Sequence, residues 1–331
     1  MKKMITSVSA MLLAVSLPLL ANGQQDAGGK SGTFVPKKQV TWYCTSSPGG
    51  GSDIFTRAIV DIINSKKLIG DQNIVVQYQT DGAGEVGRYM VANTKADKAD
   101  YTLLTFNSGD LMPMCKNTDN RIENFKPISH MAVDEHLIFV GEDSKFNNFK
   151  EVIAAMQDKK YIVMAGSKGD DIACYDALCS TLKVTKDQFA YIANDSTSAA
   201  ITAMLGKHMD LLIAKPASAF QYVEAGKLKP ILALADTRFS GILGDAPTLS
   251  ELGYTNISIP NWRSVVGPKT MSPEAVQFWS NVMQTVAQSD EWKNGYIAKN
   301  KLIPAYKNAN DYLAYVTTYQ ADYLKTIGKA K

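Results

Sequence analysis

The chain has 331 residues, 45% hydrophobic and 20% charged, a composition that suits one large or two medium soluble globular domains. Lys and Arg number 35 against 32 Asp and Glu, a net charge of +3, and no basic stripe is visible, which excludes an electrostatic footprint for nucleic acid. Residues 1–23, MKKMITSVSAMLLAVSLPLLANG, carry two lysines, an apolar run from Met4 to Leu20 and small residues at Ala21 and Gly23. That order reads as a Sec signal peptide, so the expected location is the periplasm. A membrane anchor fits less well, because the run is short and holds Ser and Pro. Removing these residues takes away two lysines and no acid, leaving 33 basic against 32 acidic side chains. Residues 24–37 read as a flexible lead-in.

Strands and helices then alternate. QVTWYC (39–44) is a strand, followed by the glycine turn SSPGGGSD and a helix over about 53–67, where Ile54, Ala58, Ile62 and Ile63 recur at helical spacing. NIVVQY (73–78) is a second strand, and DGAGEVG (81–87) turns into a helix. YTLLTF (101–106) is a third, ending in NSGD. Strands follow at 136–141, 161–166, 209–214 and 229–235 and at FAYIA, with helices at 149–158, DIACYDALCSTL and TSAAITAMLGKH. The last third is helical at 273–288, 290–300 and 310–327, and Tyr312, Tyr315, Tyr319 and Tyr323 share one face of its final helix as packing residues. The alternation predicts βαβ units and parallel sheets, whose ligands bind at strand-to-helix turns.

Three such turns share a side-chain-poor style. In SSPGGGSD the N–H groups of Gly50, Gly51 and Ser52 are placed to meet an anion at a helix N-terminus. DGAGEVG is the second, and AGSKGDD, with Ser167, Lys168 and Gly169, the third. NSGD contributes Ser108 and NDSTS contributes Asp195. One glycine turn alone is more often structural; several in one α/β chain favour a shared anion site. Nucleotide motifs fail: no GxxxxGK[ST] occurs, and the sixth position counted from Gly49 is Ile54 rather than glycine. GxSxG and HExxH are absent. His130, His136 and His208 read as structural or surface residues, and no cofactor or metal site is read. Cys44, Cys115, Cys174 and Cys179 show no zinc spacing, and buried free thiols are expected for some. The pattern is that of a binding protein.

SPGGGSDIFTR, DGAGEVG and DYTLL, then AITAMLGKHMDLLIA, VEAGKLKPILALADTRF, DAPTLSELGY and WRSVVGPKTMSP, resemble in order the Bug-type receptors of tripartite tricarboxylate transporters. The resemblance spans nearly the whole mature chain. It implies a two-lobed periplasmic-binding-protein fold (type II), with lobe one at 38–138 plus 236–331 and lobe two at 139–235. It implies a monomer that captures a small organic carboxylate between the lobes and delivers it to membrane carrier subunits. It places the carboxylate on Gly49, Gly50, Gly51 and Ser52, with Ala83 and Gly84 opposite, on the lobe-two turn Ser167–Lys168–Gly169, and near Asp210. The chain departs from the family at YQTD, ADKADYTLL, GDDIACY and ANDSTS. From Asp110, Asp170, Asp195 and Asp210 an acidic distal end is expected, which would favour an amino acid or another carboxylate with a cationic tail over citrate. The alternatives are a receptor serving a membrane sensor, or an exported hydrolase with Ser52 or Ser167 as nucleophile, for which no base stands out.

Overall fold

The computed structural model describes residues 34–257 and 259–330; the segment expected to be a signal peptide lies outside them. Strand β1 (Val40–Cys44) runs into α1 (Gly51–Ser65), β2 (Ile74–Tyr78) into α2 (Glu85–Ala92) and the short α3 (Ala96–Ala99), and β3 (Thr102–Asn107) into α4 (Ser108–Asn117). The long β4 (Phe125–Asp134) is separated from β5 (His136–Gly141) by Glu135 alone, and α5 (Phe149–Gln157) follows. Then come β6 (Ile162–Gly166), α6 (Asp170–Leu182), β7 (Phe189–Ala193), α7 (Thr197–Leu205), β8 (Leu211–Ala214), α8 (Pro216–Glu224) and β9 (Leu228–Leu234). The chain ends with β10 (Asn261–Pro268), α9 (Pro273–Gln288), a π-helical segment (Glu291–Ala298), β11 (Ile303–Lys307) and α10 (Ala309–Thr326).

Among the described residues these strands build two sheets, ordered β11-β4-β10-β3-β1-β2 and β7-β6-β8-β5-β9. The chain crosses between them at Glu135 and again between β9 and β10. The expectation of parallel sheets needs correction. β1 is parallel to β2 and β3, and β6 to β7 and β8, but β10 is antiparallel to β3 and β4, and β5 to β8 and β9. Each antiparallel strand of these pairs enters its sheet directly from a crossover, so it runs opposite to the strands built through helices. The consequence for the cleft is direct: the first residues of β10 and β5 lie at the same sheet ends as the last residues of β3 and β8. Arg263 pairs with Asn107 and Leu137 with Ala214.

Elements absent from the sequence reading have physical reasons for being hard to see. Every residue of β10 is buried, so no in–out alternation marks it. Helix α4 has Pro113 inside it, a residue that ordinarily ends a helical pattern. The chain tolerates this helix because Asn107 caps it well. Its side chain accepts from the Asp110 N–H, while the Asp110 carboxylate accepts from the Asn107 N–H. The lead-in is anchored at its end, where Phe34 packs edge-on against Tyr101 and Phe278.

The first sheet's core holds Trp42, whose indole N–H donates to Thr105 at 2.9 Å, and Trp279, which donates to the Asp100 carbonyl at 3.0 Å. The tyrosine face of α10 packs as expected: Tyr312, Tyr315 and Tyr319 surround Trp262, and Tyr312 is fully buried with its hydroxyl on Ser264. No helix among the described residues is long and apolar enough to cross a membrane. Since β10 carries both Trp262 and the cleft residue Arg263, α10 clamps the strand that floors the cleft. Tyr312→Ala is therefore expected to cost about 3–5 kcal/mol, read as a lower urea midpoint at unchanged slope.

Candidate functional site

The cleft between the sheets narrows to a small polar cavity of about 70 Å³, lined from both sides. From the first sheet come Thr45, Gly51, Ser52, Ala83, Asn107, Gly109 and Asp110, with Asn261 and Arg263 from the start of β10. From the second come Ser167, Lys168, Asp170, Asp195, Ser196, Thr197 and Lys215. Each of α1, α2, α4, α6, α7 and α8 begins beside this cavity. A helix N-terminus carries unpaired N–H groups and roughly half a positive charge. Their convergence makes the cavity a place for an anion.

The glycine turn divides its labour. Gly49 has φ +79° and gives its N–H to Asp53 Oδ2 at 2.7 Å, and Gly50 gives its N–H to the Ser47 carbonyl at 3.1 Å. Those donors hold the turn itself and are not available to a ligand. Gly51 and Ser52, in the first turn of α1, are the members of the turn that line the cavity. A Cβ on Gly51 would lie 2.8 Å from the Arg263 guanidinium, so the glycine there lets the arginine pass beneath the helix start.

Of the other expected residues, Ala83, Ser167, Lys168 and Asp195 line the cavity, and Gly84, Ser108, Gly169 and Asp210 do not. Ser108 turns its hydroxyl to Asn261 at 2.9 Å. Gly84 (φ +82°) lies against Thr45 and Arg88 and closes the turn before α2. Gly169 (φ +73°) meets the backbone of Gly109 from the opposite sheet; a Cβ on it would lie 2.5 Å from the Gly109 carbonyl oxygen. Asp210 precedes β8 whereas Lys215 follows it, which puts them at opposite ends of a strand that rises about 3.3 Å per residue. Asp210 accepts from the Val163 N–H, pairs with Lys145 at 2.6 Å and lines a separate depression on the second sheet.

The expected acidic end is also corrected, because a cation faces each of its acids. Asp110 takes the Thr45 hydroxyl at 2.5 Å and Arg88 at 2.9 Å. Burial raises its carboxyl, against the pull of Arg88 and Thr45. Asp195 pairs with Lys168 at 2.6 Å. Asp170 and Asp171 share Lys215, at 2.7 and 2.5 Å, and His136, at 3.0 Å each; Asp171 also takes the Ser167 N–H and hydroxyl. His136, Asp170 and Asp171 have the donor types of a metal site, and the Lys215 ammonium plays the cation's part there. Burial opposes charge on these groups. Lys215 and His136 nonetheless pull both aspartates below the usual carboxylate range, and the Cys174 sulfur with the two aspartates lifts His136 well above an ordinary histidine. Arg263, fully buried, pairs with Asp134.

Sequence reasoning missed Arg263, Lys215, Asn261 and the partners His136 and Asp134. An arginine inside the apolar run NWRSVV and a lysine directly after LLIA were the available signals. Their meaning depended on the antiparallel pairings. The four cysteines are buried and unpaired, and burial pushes the Cys44 thiol up to about 12.

Two sheets joined by a double crossover, with helix N-termini facing each other over a polar cleft, define a two-lobed solute-binding protein of the periplasmic-binding-protein class. The sequence matches the tripartite tricarboxylate transporter family receptor over residues 57–329, and the chain belongs to that family. It is 24% identical over 294 residues to protein BugT of Bordetella pertussis, covering 84% of this chain and 85% of BugT. Its fold is similar to that of the periplasmic binding protein BugD, with TM-score 0.79, 21% identity, and 89% and 99% of the two chains covered. It is also similar to an R. palustris protein solved with adipate, with TM-score 0.76, 18% identity, and 88% and 98% covered.

Two outcomes are expected. A Cβ on Gly109 would lie 2.5 Å from Asp170 Oδ1 across the cleft. Overpacking there costs on the order of 1–3 kcal/mol, so Gly109→Ala should weaken ligand binding roughly tenfold or more. It should leave far-UV circular dichroism unchanged and keep small-angle scattering at the wider, ligand-free dimensions. The His136 cluster makes stability pH-dependent. The raised His136 contributes fully below its unfolded value of about 6.5, and that contribution is lost as pH rises through its folded value. The lowered Asp170 and Asp171 contribute above their unfolded value of about 3.9 and lose it as pH falls through their folded values. Melting temperatures should fall on both sides of a plateau, and His136→Gln should flatten the alkaline limb and weaken, without abolishing, the acid limb, which Lys215 still sustains.

Proposed function

We propose that this protein is an extracytoplasmic solute receptor that closes on a small organic carboxylate and delivers it to the membrane carrier of a tripartite transporter. The observation that carries the reading is the convergence of six helix starts, α1, α2, α4, α6, α7 and α8, on one small polar cavity between two sheets. A carboxylate placed there meets the Gly51 and Ser52 N–H groups at one wall and the α6 and α7 starts at the other. It rewards closure because only the closed form offers both walls. Membership of the receptor family and the adipate-bound structural relative support the ligand class. The two lobes are taken to be the two sheets with their helices, hinged at Glu135 and in the 235–260 connection. The working form is a periplasmic monomer, and its ligand-loaded state engages the carrier.

An exported serine hydrolase is disfavoured by the hydroxyls themselves. Ser52 Oγ accepts from Asn107 at 3.1 Å, and Ser167 Oγ donates to Asp171 at 2.8 Å. Neither is bonded to a histidine among the described residues, and a serine nucleophile needs such a base.

The test is a thermal-shift panel on refolded, ligand-free mature protein: acetate, lactate, succinate, malate, adipate, glutamate and citrate. A ligand at 1,000 times its Kd adds about 4 kcal/mol, so a true ligand shifts the midpoint by several degrees. Silence across the panel with a folded protein would count against the receptor reading. Because the acids are neutralised in place, glutamate is expected to hold no advantage over uncharged-tail acids such as lactate.

A further inference from the structure

Arg263 is the least ordinary charge in the molecule. Its side chain is 1% exposed, lines the cavity, and lies directly beneath the first turn of α1. Asp134 engages one terminal nitrogen, Nη2, through Oδ2, while Nε and the second Asp134 oxygen, Oδ1, are both buried without a hydrogen-bond partner. A guanidinium carries five N–H donors in a rigid fork suited to a planar carboxylate. Burying one of those donors unmet is costly. Placing the group against the positive end of a helix raises that cost further. Native interiors rarely keep an unmet donor on a charged group without a use for it.

The geometry points to Arg263 as the charged anchor of the ligand's carboxylate. This deepens the receptor reading and rests on it: the anion takes N–H groups of Gly51 and Ser52 from above and the arginine fork from below. Asp134 is then a positioning residue. It neutralises the arginine and holds it by Nη2, which leaves Nη1 for the ligand. Gly51 belongs to the same device, since a side chain there would strike the guanidinium. Purely uncharged recognition of the carboxylate, through helix N–H groups alone, is replaced here by a charge-assisted contact. Such contacts are about twice as strong as neutral ones.

The test uses acetate, the minimal carboxylate, and its neutral isostere acetamide. In nitrogen-15 NMR of the mature protein, the Arg263 Nε–H resonance, assigned by its loss in Arg263→Lys, should move saturably with acetate and stay still with acetamide. The paired variant Asp134→Asn/Arg263→Met leaves no lone buried charge and so is expected to fold. In it, the acetate concentration for half-maximal thermal stabilisation should rise roughly 10- to 100-fold, as loss of a charged hydrogen bond implies. Arg263→Lys, which keeps the charge without the fork, should lose at least a large part of the same response and serves if the paired variant does not fold. A static Nε–H, or variants that respond to acetate at the wild-type concentration, would overturn the anchor while leaving the receptor reading intact. A wild-type protein silent to acetate and to the whole acid panel overturns both.

Discussion

Six helices cannot begin around one small cavity without concentrating positive potential there. In this protein that potential falls on a cavity of only about 70 Å³. Much of the cleft's remaining structure answers this constraint. The glycines bring backbone against backbone, as at Gly109 and Gly169, or against a guanidinium, as at Gly51. The acids are drawn in as well, and each is matched by a cation: Asp110 by Arg88, Asp134 by Arg263, Asp170 and Asp171 by Lys215 and His136, and Asp195 by Lys168.

That matching separates side-chain charge from backbone field. Asp110, Asp134, Asp170, Asp171 and Asp195 oppose Arg88, Arg263, His136, Lys215 and Lys168, and Glu85 is a second acid on Arg88, so the side chains leave no positive excess even with His136 charged. The field a ligand meets is then set by helix ends together with the paired cations that line the cavity, Arg263, Lys215 and Lys168. It is also local: the Lys215–Asp170–Asp171–His136 cluster lies on the second sheet and the Arg263–Asp134 pair on the first. Buried pairs of this kind are rarely a source of net stability, since desolvation offsets much of the attraction. Their value here is positional. The buried ones, Arg88–Asp110, Arg263–Asp134 and Lys215–Asp170–Asp171, each hold a side chain at the cavity wall, so that little ordering remains there when a ligand arrives.

How much of this was legible from the chain depends on which end of a strand is considered. Strand-to-helix turns were readable because glycine, serine and capping residues announce them, and Gly51, Ser52, Ala83, Ser167, Lys168 and Asp195 do meet at the cavity. Residues at the starts of antiparallel strands were not readable. Arg263 lines the cavity and His136 backs its Asp170 wall only because β10 and β5 enter their sheets from the crossovers in the opposite sense. Nothing local in NWRSVV or EHLIFV encodes that sense. Asp210 shows the same limit in reverse. It stands five residues from Lys215, yet a β-strand between them separates a lobe-surface residue from a cleft residue, and a family pattern read along the chain does not show which end faces the ligand.

The neutrality of the side chains also bears on which anions the cavity tolerates. A singly charged carboxylate held as proposed would meet the Gly51 and Ser52 N–H groups and the Arg263 guanidinium. A second negative group has to find its own donors at the α6 and α7 starts or compete with Asp170 for Lys215. The latter would leave a buried carboxylate unpaired at a cost of several kcal/mol. A third charge has neither option inside so small a cavity. Charge number and length therefore act together: a short acid with hydroxyl or amide groups suits the Asn107, Ser196 and Asn261 surroundings, whereas a bulky trianion requires the lobes to stay apart. If the lobes close as proposed, an acid that keeps Gly109 from meeting Gly169 would forfeit the second wall.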